Sequence, residues 1–196
     1  MKRNLVLAAT ILAVMVAPLA ASDKDKDNDH RVVRTHLVGY QETPLTINTA
    51  ASGEFKATIS EDGTAIHYEL TWHDLSSGVL QSHIHFGRPA ITGGIVLFLC
   101  TNLTPPVGPP TPQTCPTTNP ATITGTLTAA DVIASTNGQG IDPGAAGFAE
   151  MVNAIRAGAA YVNVHTANHT GGEIRGRLGP HHDRDDHHDR DEHHSH

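Results

Sequence analysis

The sequence predicts an all-β protein, an antiparallel β-sandwich with two short helices in one connection. Three observations carry this expectation: apolar and polar residues alternate in several short segments, turn residues separate those segments, and only two stretches of the 196 residues carry helical start and stop signals. A strand presents successive side chains to opposite faces, so strict alternation suits a half-buried strand and not a helix with a 3.6-residue period.

The segments follow in order. GEFKATIS puts Phe55, Ala57 and Ile59 on one face. AIHYELTWHD puts Ile66, Tyr68, Leu70 and Trp72 on one face and His67, Glu69, Thr71 and His73 on the other, with EDG before it as the joining turn. SHIHFG alternates through Ile84 and Phe86, and GIVLFLC is apolar without alternation, as expected of a strand buried on both sides. TITGTL alternates through Ile123 and Leu127, AYVNVHT through Val162 and Val164, and GEIRGRL less cleanly through Ile174 and Leu178. Thr128 and Asp131 make a capping-box spacing ahead of Val132 and Ile133, the start of one short helix. Asp142 and Pro143 open a second, in which Phe148, Val152 and Ile155 share a face and Gly158 ends the run.

The chain divides into four parts. Residues 1–22 read as a secretory signal peptide: Lys2 and Arg3, an apolar run from Leu5 to about Ala17, then small residues from Ala20 to Ser22. The apolar run is too short to remain as a membrane span, and no later segment is long and apolar enough, so the expectation is a secreted or periplasmic chain without a span after processing. Residues 23–33 are a charged spacer with nothing to bury, residues 34–179 the folded unit, and residues 180–196 a low-complexity tail. Export favours oxidised thiols, so Cys100 and Cys115 are expected to form one structural disulfide, worth ~3 kcal/mol for a loop of this length.

A net charge of −7 and a 4% aromatic content exclude a nucleic-acid partner, which needs a basic face and stacking rings. No G-x-S-x-G, H-E-x-x-H or Gly-rich phosphate loop is present, and no catalytic constellation stands out. What remains is histidine. If Ile84 and Phe86 point into the core, His83 and His85 share the opposite face, ~7 Å apart along the strand, a spacing that lets two imidazoles converge on one metal ion. By the same parity Tyr161, Asn163 and His165 face away from Val162 and Val164. Three imidazoles without a thiolate or a dense carboxylate shell suit copper or zinc rather than calcium or magnesium. His67 and His169 are reserve candidates, the first beside Glu69 on a strand face and the second in a turn. Glu173 and Arg175, two apart on one face, are expected to hold the wall of the site through cross-strand ion pairs. In the tail, His181, His182, His187, His188, His193 and His194 form pairs separated by acidic residues and arginine, a pattern that binds transition metals loosely.

HLVGYQETP, SHIHFGRP, AADVIAS and AGAAYVNVHTANHTGGEIRGRL, in that order, resemble the CHRD domain, named for its occurrence in chordin and found in many exported bacterial proteins. The likeness covers roughly residues 34 to 178, and its most specific pieces are the HIH-G block and YVNVHT with the following GGEIRG. The turn reads ANHTGG where the family commonly has a proline near the glycines, which makes His169 particular to this chain. The resemblance implies an extracellular β-rich module, immunoglobulin-like or superoxide-dismutase-like, that binds an extracellular or periplasmic protein or surface ligand and catalyses no established reaction. The HIH block also resembles the copper-binding strand of copper–zinc superoxide dismutases, which implies as an alternative a three-histidine copper site with dismutase-like redox activity. The dismutase pattern needs further ligands in a long loop, and the loop between Cys100 and Cys115 has no histidine.

Overall fold

Eight strands hydrogen-bond into one antiparallel sheet in a computed structural model that describes residues 31–104, 111–135 and 138–179. The strands are β1 (Val32–Val38), β2 (Ser52–Ile59), β3 (Ala65–His73), β4 (Val79–Phe86), β5 (Gly94–Thr101), β6 (Ala121–Thr128), β7 (Ala160–Thr166) and β8 (Ile174–Leu178). Their order is β5-β4-β7-β8-β1-β2-β3-β6. The signal-peptide reading of residues 1–22, most of the spacer and the tail lie outside the described residues; β1 opens at Val32, inside the stretch read as spacer.

The all-β antiparallel reading holds, but one continuous sheet curled nearly into a barrel stands where two packed sheets were expected. Closure comes from segments that join its two edge strands, β5 and β6. Val132, just past β6, bridges to Leu97, and Ile133 N–H donates to Val96 O at 3.0 Å. Further along, Thr101 N–H donates to Gln113 O at 2.9 Å, while the Gln113 amide reaches Thr124 O on β6 at 3.1 Å. The Cys100–Cys115 disulfide ties the same segment to β5. Covered in this way, β5 is buried along nearly its whole length, as its unbroken apolar run requires.

Alternation sorts the inner face as read: Phe55, Ile59, Ile66, Leu70 and Trp72 are buried, while Glu54, Lys56, His67 and Glu69 are exposed. Helix α1 (Ala145–Arg156) adds Phe148, Met151, Val152 and Ile155 to that core, and Gly158, at φ +66°, turns the chain out of it. The other expected helix, read as starting at Thr128, is a single 3-10 turn, Ala129–Asp131. Its capping box forms, with Thr128 N–H donating to Asp131 Oδ2 at 2.7 Å, but Val132 returns at once to extended backbone to pair with β5. Val132 and Ile133 therefore serve the seam rather than a helix face.

Candidate three-histidine site

The site is built on the outer face of β4, β7 and β8. Register sets His83 opposite Asn163, His85 opposite Tyr161, and Asn163 opposite Arg175, so these side chains share one face. The β4–β5 register shifts twice beside the histidines, at Ser82/His83 and Ile84/His85, where β5 carries the extra residues Leu99 and Val96. The His83 and His85 ring centroids lie 5.0 Å apart, and the His83–His165 centroids 4.6 Å. One ligand atom from each of His83, His85 and His165 falls within 4.8 Å of the others, so the three could hold one metal ion. Strand parity anticipated this gathering.

It did not anticipate burial. The face read as outward is covered by the segment after β1, by the 87–93 loop and by the β7–β8 turn, which leaves His83, His85 and His165 at 0%, 6% and 7% exposed. Phe98 packs edge-on against His83, with centroids 4.9 Å apart. Burial is the main force on all three rings. It drives His83 well below the ordinary histidine pKa, helped by the two neighbouring imidazoles, and takes His85 to about 4 against the pull of the Gly93 carbonyl. His165 is lowered too, against the Thr170 carbonyl. All three stay neutral near pH 7, the form that ligates metal.

Proton placement tests whether a cation fits. Gly93 O lies 3.0 Å from His85 Nδ1, and Thr170 O lies 2.9 Å from His165 Nδ1. Carbonyls only accept, so both rings carry their proton on Nδ1 and present Nε2 as a lone pair; a carbonyl fixing the ring from behind in this way is what orients metal-ligating histidines. Around His85 Nε2 stand Asn163 Oδ1 at 3.1 Å and His83 Nδ1 at 3.0 Å, and His83 Nδ1 is 3.3 Å from Asn163 Oδ1. A proton on His83 Nδ1 then has two acceptors, His85 Nε2 and Asn163 Oδ1, and His83 Nε2 and His165 Nε2 have no hydrogen-bond partner. Four buried side-chain polar atoms among the described residues lack one: these two, Glu42 Oε1 against the Gly172 turn, and Trp72 Nε1 in the core. Orphaned lone pairs gathered in one place are what a bound cation would satisfy.

A matching family is found at this point: the sequence fits the CHRD domain over residues 33–178. The chain belongs to the CHRD domain family. No curated protein and no solved structure matches it. The match spans all eight strands of this CHRD domain except the first residue of β1, and so includes every residue of the cluster.

Sequence reasoning named the three histidines of this CHRD domain, put Tyr161 and Asn163 on their face and Arg175 in the wall, but gave none of their contacts and missed Glu42. Tyr161 stacks on His85 with centroids 4.5 Å apart at 8°, and the Arg175 guanidinium lies 3.4 Å from the Tyr161 centroid. Asn163 Oδ1 lies within 3.3 Å of His83 Nδ1 and 3.1 Å of His85 Nε2, so it touches both histidines of β4. Glu42 is buried, and burial raises its pKa to about 7 against the opposing charge of Arg175. Asn163 and Tyr161 were legible in principle from their shared parity with His165; nothing local marks Glu42, which arrives from the connection after β1.

Two expectations need correction. Among the described residues Glu173 and Arg175 form no ion pairs: Glu173 accepts from Thr49, Thr166 and Ser76 hydroxyls and from Ser76 N–H, while Arg175 donates to Thr43 Oγ1 and to Ile91 O at 2.9 Å. Burial pushes the Glu173 carboxyl up, but those donors hold it below its usual pKa. The reserve histidines stay apart from the cluster. His67 is exposed on β3 and contacts Thr126 Oγ1 at 3.0 Å, and His169 sits in the β7–β8 turn outside the three-histidine group. The tail histidines lie outside the described residues. Among the described residues no helix is long and apolar enough to cross a membrane.

Proposed function

We propose that this chain is an exported, noncatalytic CHRD binding domain that holds one copper or zinc ion between His83, His85 and His165. The observation that carries the reading is the pair of buried imidazole Nε2 atoms, on His83 and His165, with no partner, beside a His85 whose Nδ1 proton is committed to Gly93. Imidazole ligands without thiolate favour Cu(II) or Zn(II). Export is supported by the composition of residues 1–22 and by the Cys100–Cys115 disulfide, which an oxidising compartment preserves. The partner bound through the domain is an extracellular or periplasmic protein or surface ligand, and the histidine-rich tail adds loose metal binding. Burial of all three rings favours holding a metal over dismutase-like turnover at it.

Metal titration of the full chain tests this. The expected curve has one tight equivalent of Cu(II) or Zn(II) followed by weaker tail binding, with the tight step lost in His85→Ala and in His165→Ala. A curve with only weak steps, or a tight step that survives both substitutions, overturns the proposal.

A further inference from the structure

On the far side of the His85–Tyr161–Arg175 stack lies a second feature, a cavity of about 390 Å³ whose lining includes Tyr40, Glu42, Pro89, Tyr161, Arg175 and Arg177. Its size suits a small organic molecule. Arg175 and Arg177 stand two apart on β8, and neither closes a salt bridge among the described residues. Arg175 is held by neutral oxygens, those of Thr43, Ile91 and Arg88, so its charge is not cancelled by direct contact with an acid. Arg177 gives its Nε–H to Gly158 O at 3.2 Å and is otherwise at the exposed rim. The lining has one carboxyl, Glu42, only 5% exposed. Its Oε1 is fully enclosed and presses on Gly172, where a Cβ would fall 2.5 Å away, so a glycine is needed to admit it.

A pocket lined by two guanidinium groups without a direct acid contact and by one carboxyl calls for a ligand that supplies both an anion and a hydrogen-bond donor. We propose that this cavity binds a small carboxylate with a donor on the adjacent carbon, an α-amino or α-hydroxy acid, its carboxylate on Arg177 with Arg175 behind it and its donor toward the Glu42 carboxyl. Planar guanidinium groups bind carboxylates through paired N–H donors, which makes the anionic half of the recognition directional. The site is separate from the three imidazoles and does not rest on their holding a metal.

Calorimetric titration of the full, chelator-treated chain with alanine, lactate, propionate and ethylamine decides it. Absence of metal prevents chelation from imitating the signal. Alanine or lactate is expected to bind at least about tenfold more tightly than propionate or ethylamine, each of which lacks one of the two groups; which of the two binds identifies the donor. Arg177→Gln, at the exposed rim, should weaken that binding about tenfold with an unchanged circular dichroism spectrum. Glu42→Leu, which offers no acceptor, should abolish the preference over propionate; if that variant fails to fold, the ligand series and Arg177→Gln still decide. No heat from any of the four compounds, propionate equal to alanine and lactate, or an Arg177→Gln chain that binds as well as the original would overturn the proposal.

Discussion

Three neighbours act on the ring of His85: Gly93 O takes its Nδ1 proton, Tyr161 stacks on it, and the Arg175 charge lies behind that stack. Burial is nevertheless the largest influence and sets its pKa at about 4, below the ordinary 6.5. An unfolded chain therefore binds the proton first as pH falls. Stability linked to His85 is complete above 6.5 and declines as pH drops toward about 4, by up to ~3 kcal/mol, with His83 and His165 acting in the same direction. Glu42 works oppositely, since a carboxyl raised from 4.5 to about 7 contributes stability below 4.5 that is lost as pH rises through 7. For the metal-free chain the three lowered histidines outweigh it, and the urea midpoint should fall between pH 6.5 and 4, less steeply in His85→Gln. A midpoint that is flat or rises over that interval contradicts this account. Parity picked out which histidines share a face, but their gathering needed β4 and β7 to be neighbours, and their neutral, dry state depends on covering segments remote in the sequence.

Strand β4 and its loop to β5 show how an element turns a pattern into a site. Alternation in SHIHFG specifies which residues share a face, but the register shifts beside the two rings, at Val96 and Leu99 of β5, leave no periodic trace in the sequence. The loop is fastened at several points: Tyr161 Oη accepts from Gly93 N–H at 3.1 Å, Gly93 O holds His85, and Ile91 O receives Arg175. At Gly93 a Cβ would lie 1.9 Å from Phe86 O, so no larger residue fits the backbone as it stands. Gly93→Ala should cost ~1–3 kcal/mol in urea unfolding and weaken the tight metal step, because the carbonyl that sets the His85 tautomer must move. Unaltered stability together with unaltered metal affinity would show that the loop does not position the ring. The Thr128–Asp131 signal makes the complementary point, since a capping box formed as read but the residues after it were drawn into the seam.

At the scale of the whole molecule, local patterns gave most of the strands, the helix and the disulfide, yet could not give the order in which strands meet. Whether alternating strands stack as two sheets or curl into one depends on which edges join, and here the joining is done by Val132, Ile133 and Gln113, residues of connections rather than of strands. The same long-range joining brings Glu42 from the chain's first connection against a cluster carried by β4 and β7. The curled sheet thus supplies a rigid outer wall on which three imidazoles stand without solvent to satisfy them. X-ray absorption of a chain ending at Gly179, loaded with one equivalent of Cu(II), measures that most directly: the account predicts three imidazole nitrogens on the copper, reduced to two in His165→Ala. A spectrum dominated by oxygen ligands, or one unchanged by that substitution, would contradict it.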